Sequence, residues 1–242
     1  MEINVAKNKE LFEGLLKKYV KREGLDKLMS WLEKTDFYTA PATTKHVLAV
    51  EGGLCQHTLN VLARMVVLLH SHYRFDIEQI DESLVYNGVS VDDIDAFDIE
   101  SVVIVALLHT LHKAECYVKD FKNVKVNGKW VQEEYWKWDE QFVYGRGSKS
   151  VYIIQQFMRL YIDEALAIRY YTAGVDSPFS AVYDTAYMQV YESNRLAVFL
   201  NLASSYAMWI DDNDIESVSA VSNRELLEAM NIEEEKKDEA DV

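Results

Sequence analysis

Hydrophobic residues recur along most of this chain at the three- and four-residue spacing of amphipathic helices, as Leu11, Leu15 and Leu16 show near the start. The pattern predicts helices at about 7–19, 23–34, 54–73, 99–116, 148–160, 163–172, 181–192 and 194–210, with a further short helix at 223–230. The run 101–108 is apolar almost all round, so we expect the helix that contains it at the centre of the fold. Asp98 is its expected N-cap.

One segment breaks the helical spacing. Residues 124–131 alternate between apolar and polar around Asn127-Gly128, a dipeptide typical of type I′ hairpin turns. We therefore expect a small β-hairpin at about 122–132. Because strands do not alternate with helices elsewhere, the predicted fold class is an all-α helical bundle that carries this hairpin.

The net charge of −15 is concentrated in two segments of the 242-residue chain. Residues 76–100 hold nine acids and no Lys, Arg or His, and residues 211–242 hold twelve acids against three bases. We interpret them as an acidic insertion and an acidic C-terminal extension of one domain that spans 1–210. Solvated segments of this kind usually aid solubility, and the alternative is a surface that binds a protein or imitates DNA.

Composition also excludes several classes of protein. The negative charge repels a phosphate backbone and argues against general nucleic-acid binding. Neither a signal-peptide pattern nor a run of about eighteen apolar residues is present, so we expect a cytoplasmic protein that does not bind membranes. Two cysteines, Cys55 and Cys116, are too few for a disulfide framework.

All six histidines lie between positions 46 and 112. His57 falls early in one predicted helix, and His109 ends the apolar run of the central one. An imidazole buried there without a partner costs about 1–3 kcal/mol, so His109 needs a hydrogen bond or a ligand. The residues alone leave both roles open.

Several blocks of sequence resemble, in order, the HD-domain metal-dependent phosphohydrolases of Gram-positive bacteria and their phages. They are YTAPATTK at 38–45, EGGLCQHT at 51–58, VALLHTLHKAECY at 105–117, DEQFVYGRGSKS at 139–150, EALAIR at 164–169 and LAVFLNLA at 196–203. The resemblance implies a helical cage that holds one or two divalent ions with His and Asp ligands. Such ions polarise a phosphoryl oxygen and activate water to attack a phosphoester.

The metal ligands that the resemblance implies are mostly replaced. His57 and His109 remain, whereas an Asp would be expected at 110 and at 204, and a His at 146 and in the block after 169. The residues found there are Thr110, Ser204, Arg146, Tyr170 and Tyr171. Two neutral imidazoles are too few for a hard divalent ion. We therefore expect no catalytic residues and no resident metal or other cofactor. The alternative is an active metal-dependent phosphohydrolase that uses His57, His109 and His112.

The arginine at 146 suggests what replaced hydrolysis. A guanidinium binds phosphate oxygens through a planar fork without a metal, and the resemblance places Lys113 and Lys149 nearby. Tyr170 and Tyr171 would stack on a base. We interpret the chain as a catalytically inactive HD-type protein that binds a phosphorylated small molecule or nucleotide, as a phage-type inhibitor or sequestering protein. Two alternatives remain: these side chains merely fill a vacated cavity, or the acidic chain acts by binding a host protein.

Overall fold

The computed structural model describes residues 3–73, 98–172 and 186–213. The predicted acidic insertion up to residue 97, the start of the predicted helix 181–192, and the acidic extension beyond residue 213 with its helix 223–230 lie outside the described residues.

The described residues form eight α-helices and one two-stranded antiparallel sheet. The elements are α1 (Val5–Tyr19), α2 (Leu25–Leu32), α3 (Gly53–Tyr73), α4 (Ile99–Leu108), β1 (Tyr117–Val126), β2 (Lys129–Trp138), α5 (Arg146–Gln155), α6 (Ile162–Tyr170), α7 (Ala186–Ser193) and α8 (Arg195–Trp209). A short 3₁₀ turn comes after α4 at Leu111–Lys113, and a second one comes after α8 at Asp211–Asn213. The prediction of a mostly helical protein with one hairpin is confirmed. None of the helices described is long and apolar enough to span a membrane.

Helix α4 lies at the centre, as its apolar sequence predicts. Residues 102–108 are all buried, and the helix packs against α1, α3, α6 and α8. Each Val, Ile or Leu side chain buried in this way contributes about 1.5–3 kcal/mol relative to exposure. The predicted N-cap is confirmed, since the Asp98 carboxylate accepts a hydrogen bond from the backbone N–H of Glu100 at 3.0 Å.

Helix α4 ends at Leu108, so the predicted continuation to residue 116 is wrong. Side chains compete there with the backbone for the carbonyls that a further turn would use. The His109 ring bonds the carbonyl of Ala106, and the Ser150 hydroxyl donates to the carbonyl of His109. The chain instead makes the 3₁₀ turn Leu111–Lys113, which brings His112 beside His109.

The hairpin is longer than the predicted 122–132. Its strands pair from Tyr117↔Trp138 at the base to Val126↔Lys129 at the tip. Asn127 and Gly128 both have positive φ, 50° and 82°, as a type I′ turn requires. Tyr117 is buried at the base and donates its hydroxyl to the carbonyl of Ala42 at 3.0 Å, whereas most of the hairpin is exposed. The hairpin therefore projects from the helical domain.

A close helix contact positions the start of α5. A Cβ at Gly147 would lie 2.3 Å from the carbonyl oxygen of Ile168 and 2.4 Å from that of Arg169, so only glycine permits this approach. The contact sets Arg146, the first residue of α5, near the end of α6, where Tyr171 follows.

Candidate functional site

Three histidines from separate elements meet in the core. His57 lies on α3, His109 follows α4, and His112 lies in the first 3₁₀ turn. The ring centroids of His57 and His109 are 5.8 Å apart. Tyr171 packs edge-on against His109 at 4.8 Å and lies 6.2 Å from His112. The structure thus brings together the two retained histidines, the alternative ligand His112, and one of the two predicted stacking tyrosines.

The hydrogen-bond partners decide which ring nitrogen carries the proton. His109 Nδ1 lies 2.9 Å from the carbonyl oxygen of Ala106, which only accepts, so Nδ1 is the donor. His112 Nδ1 lies 3.1 Å from Ser150 Oγ. That hydroxyl already donates to the His109 carbonyl at 2.7 Å, so His112 Nδ1 donates as well. Each neutral ring therefore keeps its lone pair on Nε2.

Both of these histidines are held neutral. Burial lowers the pKa of His109 well below its usual value, and the nearby His57 lowers it further. Burial also lowers the pKa of His112 well below its usual value, assisted by the charges of Lys113 and Arg146. Within the described part of the chain, His109 Nε2 and the Thr110 hydroxyl are buried without a hydrogen-bond partner. The cluster therefore presents acceptors rather than positive charge.

The third histidine, His57, is hydrogen-bonded to Asp212, an acid that we expected in the solvated C-terminal extension. His57 Nδ1 donates to Asp212 Oδ2 at 2.6 Å, and Asn60 Nδ2 donates to Asp212 Oδ1 at 2.8 Å. The neighbouring Asp211 accepts from Arg64 at 2.6 Å. Asp211 and Asp212 are both buried, so the packed domain continues to residue 213. No pattern in the sequence separates these two acids from the acids that follow them.

Two positively charged side chains border the histidine cluster. Lys113 donates to the carbonyl of Ala42 at 2.8 Å and makes no ion pair with a carboxylate among the described residues. Burial and the nearby charge of Arg146 lower the pKa of Lys113 to about 8, against the opposite effect of Asp212. Arg146 itself is exposed. Its positive charge acts on both Lys113 and His112 and lowers the pKa of each.

The other two predicted binding residues are engaged with partners of their own. Lys149 is buried, with Nζ 3.0 Å from Glu140 Oε1 and 3.3 Å from Cys116 Sγ, so its charge is already compensated. Tyr170 is also buried, and the contact of its ring is with the guanidinium of Arg169, 5.2 Å from the ring centroid. Of the five binding residues predicted, Lys113, Arg146 and Tyr171 therefore lie at the histidine cluster.

Ser204, which stands where the resemblance leads one to expect an Asp, is buried on α8. Asn201 on the same helix donates to the carbonyl of Tyr171 at 2.7 Å, at the end of α6. Across residues 3–73, 98–172 and 186–213, no group of three or more His, Cys, Asp or Glu side chains is arranged to hold a metal ion. Asp212 is engaged on the Nδ1 side of His57, and two cations lie nearby. The residues present therefore do not fit the divalent ions that the HD resemblance implies.

Comparisons with known proteins identify no relative of this chain. No protein-family model, no curated protein and no solved structure matches the chain.

Proposed function

We propose that this protein binds a phosphorylated small molecule, such as a nucleotide, beside its histidine cluster and does not hydrolyse it. In this proposal the chain is a catalytically inactive protein of the HD type. The observation that supports it is the desolvated ammonium group of Lys113, which has no carboxylate partner in the described part of the chain and on which the charge of Arg146 acts.

An anion would relieve an unfavourable arrangement at this point. The lowered pKa of Lys113 shows that its charged form is destabilised by burial and by Arg146. A phosphate offers several acceptor oxygens and a compensating negative charge, and charge-assisted hydrogen bonds are about twice as strong as neutral ones. The guanidinium of Arg146 can bind two such oxygens at once. A phosphate is therefore the ligand group whose charge and acceptors match both side chains.

Hydrolysis lacks its usual machinery at the same place. In the mechanism that the HD resemblance implies, a metal ion activates the attacking water and polarises the phosphoryl group. The Asp212 carboxylate is engaged by His57 and Asn60, and the histidines nearest the two cations, His109 and His112, are neutral acceptors. We therefore propose binding without turnover, which would suit a sequestering or inhibitory protein.

A metal-dependent phosphohydrolase is the second candidate, and one observation favours it. The Nδ1 atoms of His57, His109 and His112 are hydrogen-bonded to a carboxylate, a carbonyl and a hydroxyl, respectively. Histidines that bind a metal through Nε2 commonly have such a partner at Nδ1. Metal analysis of protein purified without chelator separates the two candidates. A stoichiometric divalent metal that is lost in both His57→Ala and His109→Ala, together with phosphoesterase activity, would establish the enzyme.

The binding proposal is tested with two matched arginine variants. Arg146 and Arg195 are exposed arginines, each at the first position of a helix, but only Arg146 borders the cluster. Thermal unfolding is followed with inorganic phosphate, AMP, ADP and cyclic AMP. A ligand at a hundred times its Kd stabilises the fold by about 2.7 kcal/mol. We expect at least one ligand to do so in the wild type and in Arg195→Gln, and to bind at least about tenfold more weakly to Arg146→Gln. If no ligand stabilises the wild type, or if Arg146→Gln responds fully, the proposal is wrong.

A further inference from the structure

Three aromatic side chains form an exposed cluster at the start of α5. Phe142 and Tyr144 stack with ring centroids 5.4 Å apart and an interplanar angle of 17°. Tyr152 lies 5.6 Å from Phe142 and 5.5 Å from Tyr144. Phe142, Tyr144 and Tyr152 are 44%, 52% and 45% exposed. Single exposed aromatics are ordinary on a protein surface, whereas a contiguous apolar cluster indicates a binding surface. We call these three side chains the aromatic platform.

The aromatic platform borders the proposed phosphate site. Phe142 lies over Lys149, whose Nζ is 5.8 Å from the ring centroid and 3.3 Å from Cys116 Sγ. The Cys116 thiol in turn lies 3.3 Å from the carbonyl oxygen of His112. Along the chain, only Gly145 separates Tyr144 from Arg146. Contacts and sequence thus both connect the platform to the cluster that carries the two positive charges.

The tyrosines that the sequence analysis assigned to base stacking are poorly suited to it. Tyr170 and Tyr171 are both buried, and Tyr171 packs its ring against His109. Stacking requires an accessible ring face. The rings of the platform are accessible. The sequence alone does not predict the platform, because Phe142, Tyr144 and Tyr152 come together only when the loop before α5 folds onto that helix.

We propose that the aromatic platform binds the base of a nucleotide whose phosphate lies at Arg146 and Lys113. This inference rests on the proposed function and names the class of its ligand. A nucleotide carries a planar ring and an anion on one small molecule, which is the combination that the platform and the two cations offer side by side. Base–aromatic stacking contributes about 1–3 kcal/mol per base and tolerates any base, since every base has a π-face.

Charge favours a small nucleotide over the other occupants of such a surface. A single-stranded nucleic acid would place many phosphates along a chain whose net charge is −15. A basic peptide would meet Arg146 and Lys113 and be repelled. A mononucleotide needs only the positive charge of Arg146 and Lys113. The charge of Lys149, which lies against Phe142, is already compensated by Glu140.

The test compares ligands with and without a base on matched variants. Phe142 and Phe121 are exposed phenylalanines, at 44% and 60%, but Phe121 lies on β1 in the projecting hairpin. Calorimetric titration of the full chain gives Kd for AMP and for ribose 5-phosphate. We expect Phe142→Ala to weaken AMP binding by about five- to 150-fold, the range that stacking energies imply, and Phe121→Ala to change it less than about twofold. Ribose 5-phosphate should bind all three proteins equally, and Phe142→Tyr should retain AMP affinity.

The outcomes separate this inference from the proposed function. If AMP binds the wild type no more tightly than ribose 5-phosphate, or if Phe142→Ala binds AMP like Phe121→Ala, the platform does not bind the base. The phosphate site still stands in that case, provided that Arg146→Gln weakens ribose 5-phosphate binding. If neither ligand binds the wild type, the inference about the platform fails, and the proposed function fails as well unless inorganic phosphate, ADP or cyclic AMP stabilises the wild type in thermal unfolding.

Discussion

Lys113 provides a direct test of the electrostatics on which the proposed site depends. Burial and Arg146 lower the pKa of its ammonium group from 10.5 to about 8. At 1.36 kcal/mol per pKa unit, the charged form costs the fold roughly 3 kcal/mol at neutral pH. Replacing Lys113 with Met keeps an unbranched side chain and removes the charge, but it also removes the hydrogen bond to Ala42, which contributes about 0.5–1.5 kcal/mol. We expect Lys113→Met to stabilise the ligand-free protein by roughly 2 kcal/mol at pH 7.

The pH dependence of this difference follows from the same pKa. Below about pH 8, Lys113 is protonated in both the folded and the unfolded state, so its cost is fully present. Between about pH 8 and 10.5 the folded state has released the proton and the unfolded state still holds it. The free energy of unfolding of the wild type therefore rises with pH in this window, by at most about 1.4 kcal/mol per pH unit from this group. Lys113→Met lacks this rise.

The assay is urea unfolding of the wild type and of Lys113→Met at pH 7, 8, 9 and 10. Contributions from the other titrating groups are shared by the two proteins and cancel in the difference. We expect the advantage of the variant to shrink as the pH rises, and to be smaller at pH 7 when the wild type is saturated with a phosphorylated ligand that compensates the charge. A stability difference that does not change between pH 7 and 10 would refute the assigned environment of Lys113.

Three further predictions concern the architecture of the site. Asp212→Ala should lower the free energy of unfolding, measured in urea, by about 2–4 kcal/mol, because His57 and Asn60 lose a buried acceptor. A decrease below about 0.5 kcal/mol would indicate that Asp212 is solvated. Gly147→Ala should lower the free energy of unfolding by at least about 2 kcal/mol, since the new Cβ would clash with the carbonyl oxygen of Ile168 at 2.3 Å. An unchanged free energy of unfolding would contradict the close packing of α5 on α6. Imidazole ¹⁵N NMR should show His109 as the neutral Nδ1–H tautomer at pH 6.5, where a solvated imidazole is about half protonated. The pKa of this histidine lies below its unfolded value, so its contribution to stability is lost as the pH falls below about 6.5; protonation of the folded ring near pH 6.5 would contradict its burial.

Much of the helical architecture could be predicted because local patterns and burial agree. The apolar run before His109 is buried at the centre, and Asp98 caps it as predicted. Asn127-Gly128 marked the hairpin turn correctly, since positive φ at both positions is a local requirement. The end of α4 was missed because the competing hydrogen bond comes from Ser150, about forty residues further along the chain. The HD-type arrangement of the helices stays a prediction.

The sequence by itself determined a mostly helical protein with one hairpin, a histidine, His109, that needs a partner at the end of the central helix, and an arginine where the HD resemblance leads one to expect a metal ligand. Periodicity, turn chemistry and residue type are properties of neighbouring residues and can be read directly. Only the tertiary structure decided which partners certain side chains have: Asp212 for His57, Glu140 for Lys149, and Ser150 for His112. Burial and charge at these meeting points depend on long-range packing, so the same side chain is a solvated acid or a buried partner according to what folds against it.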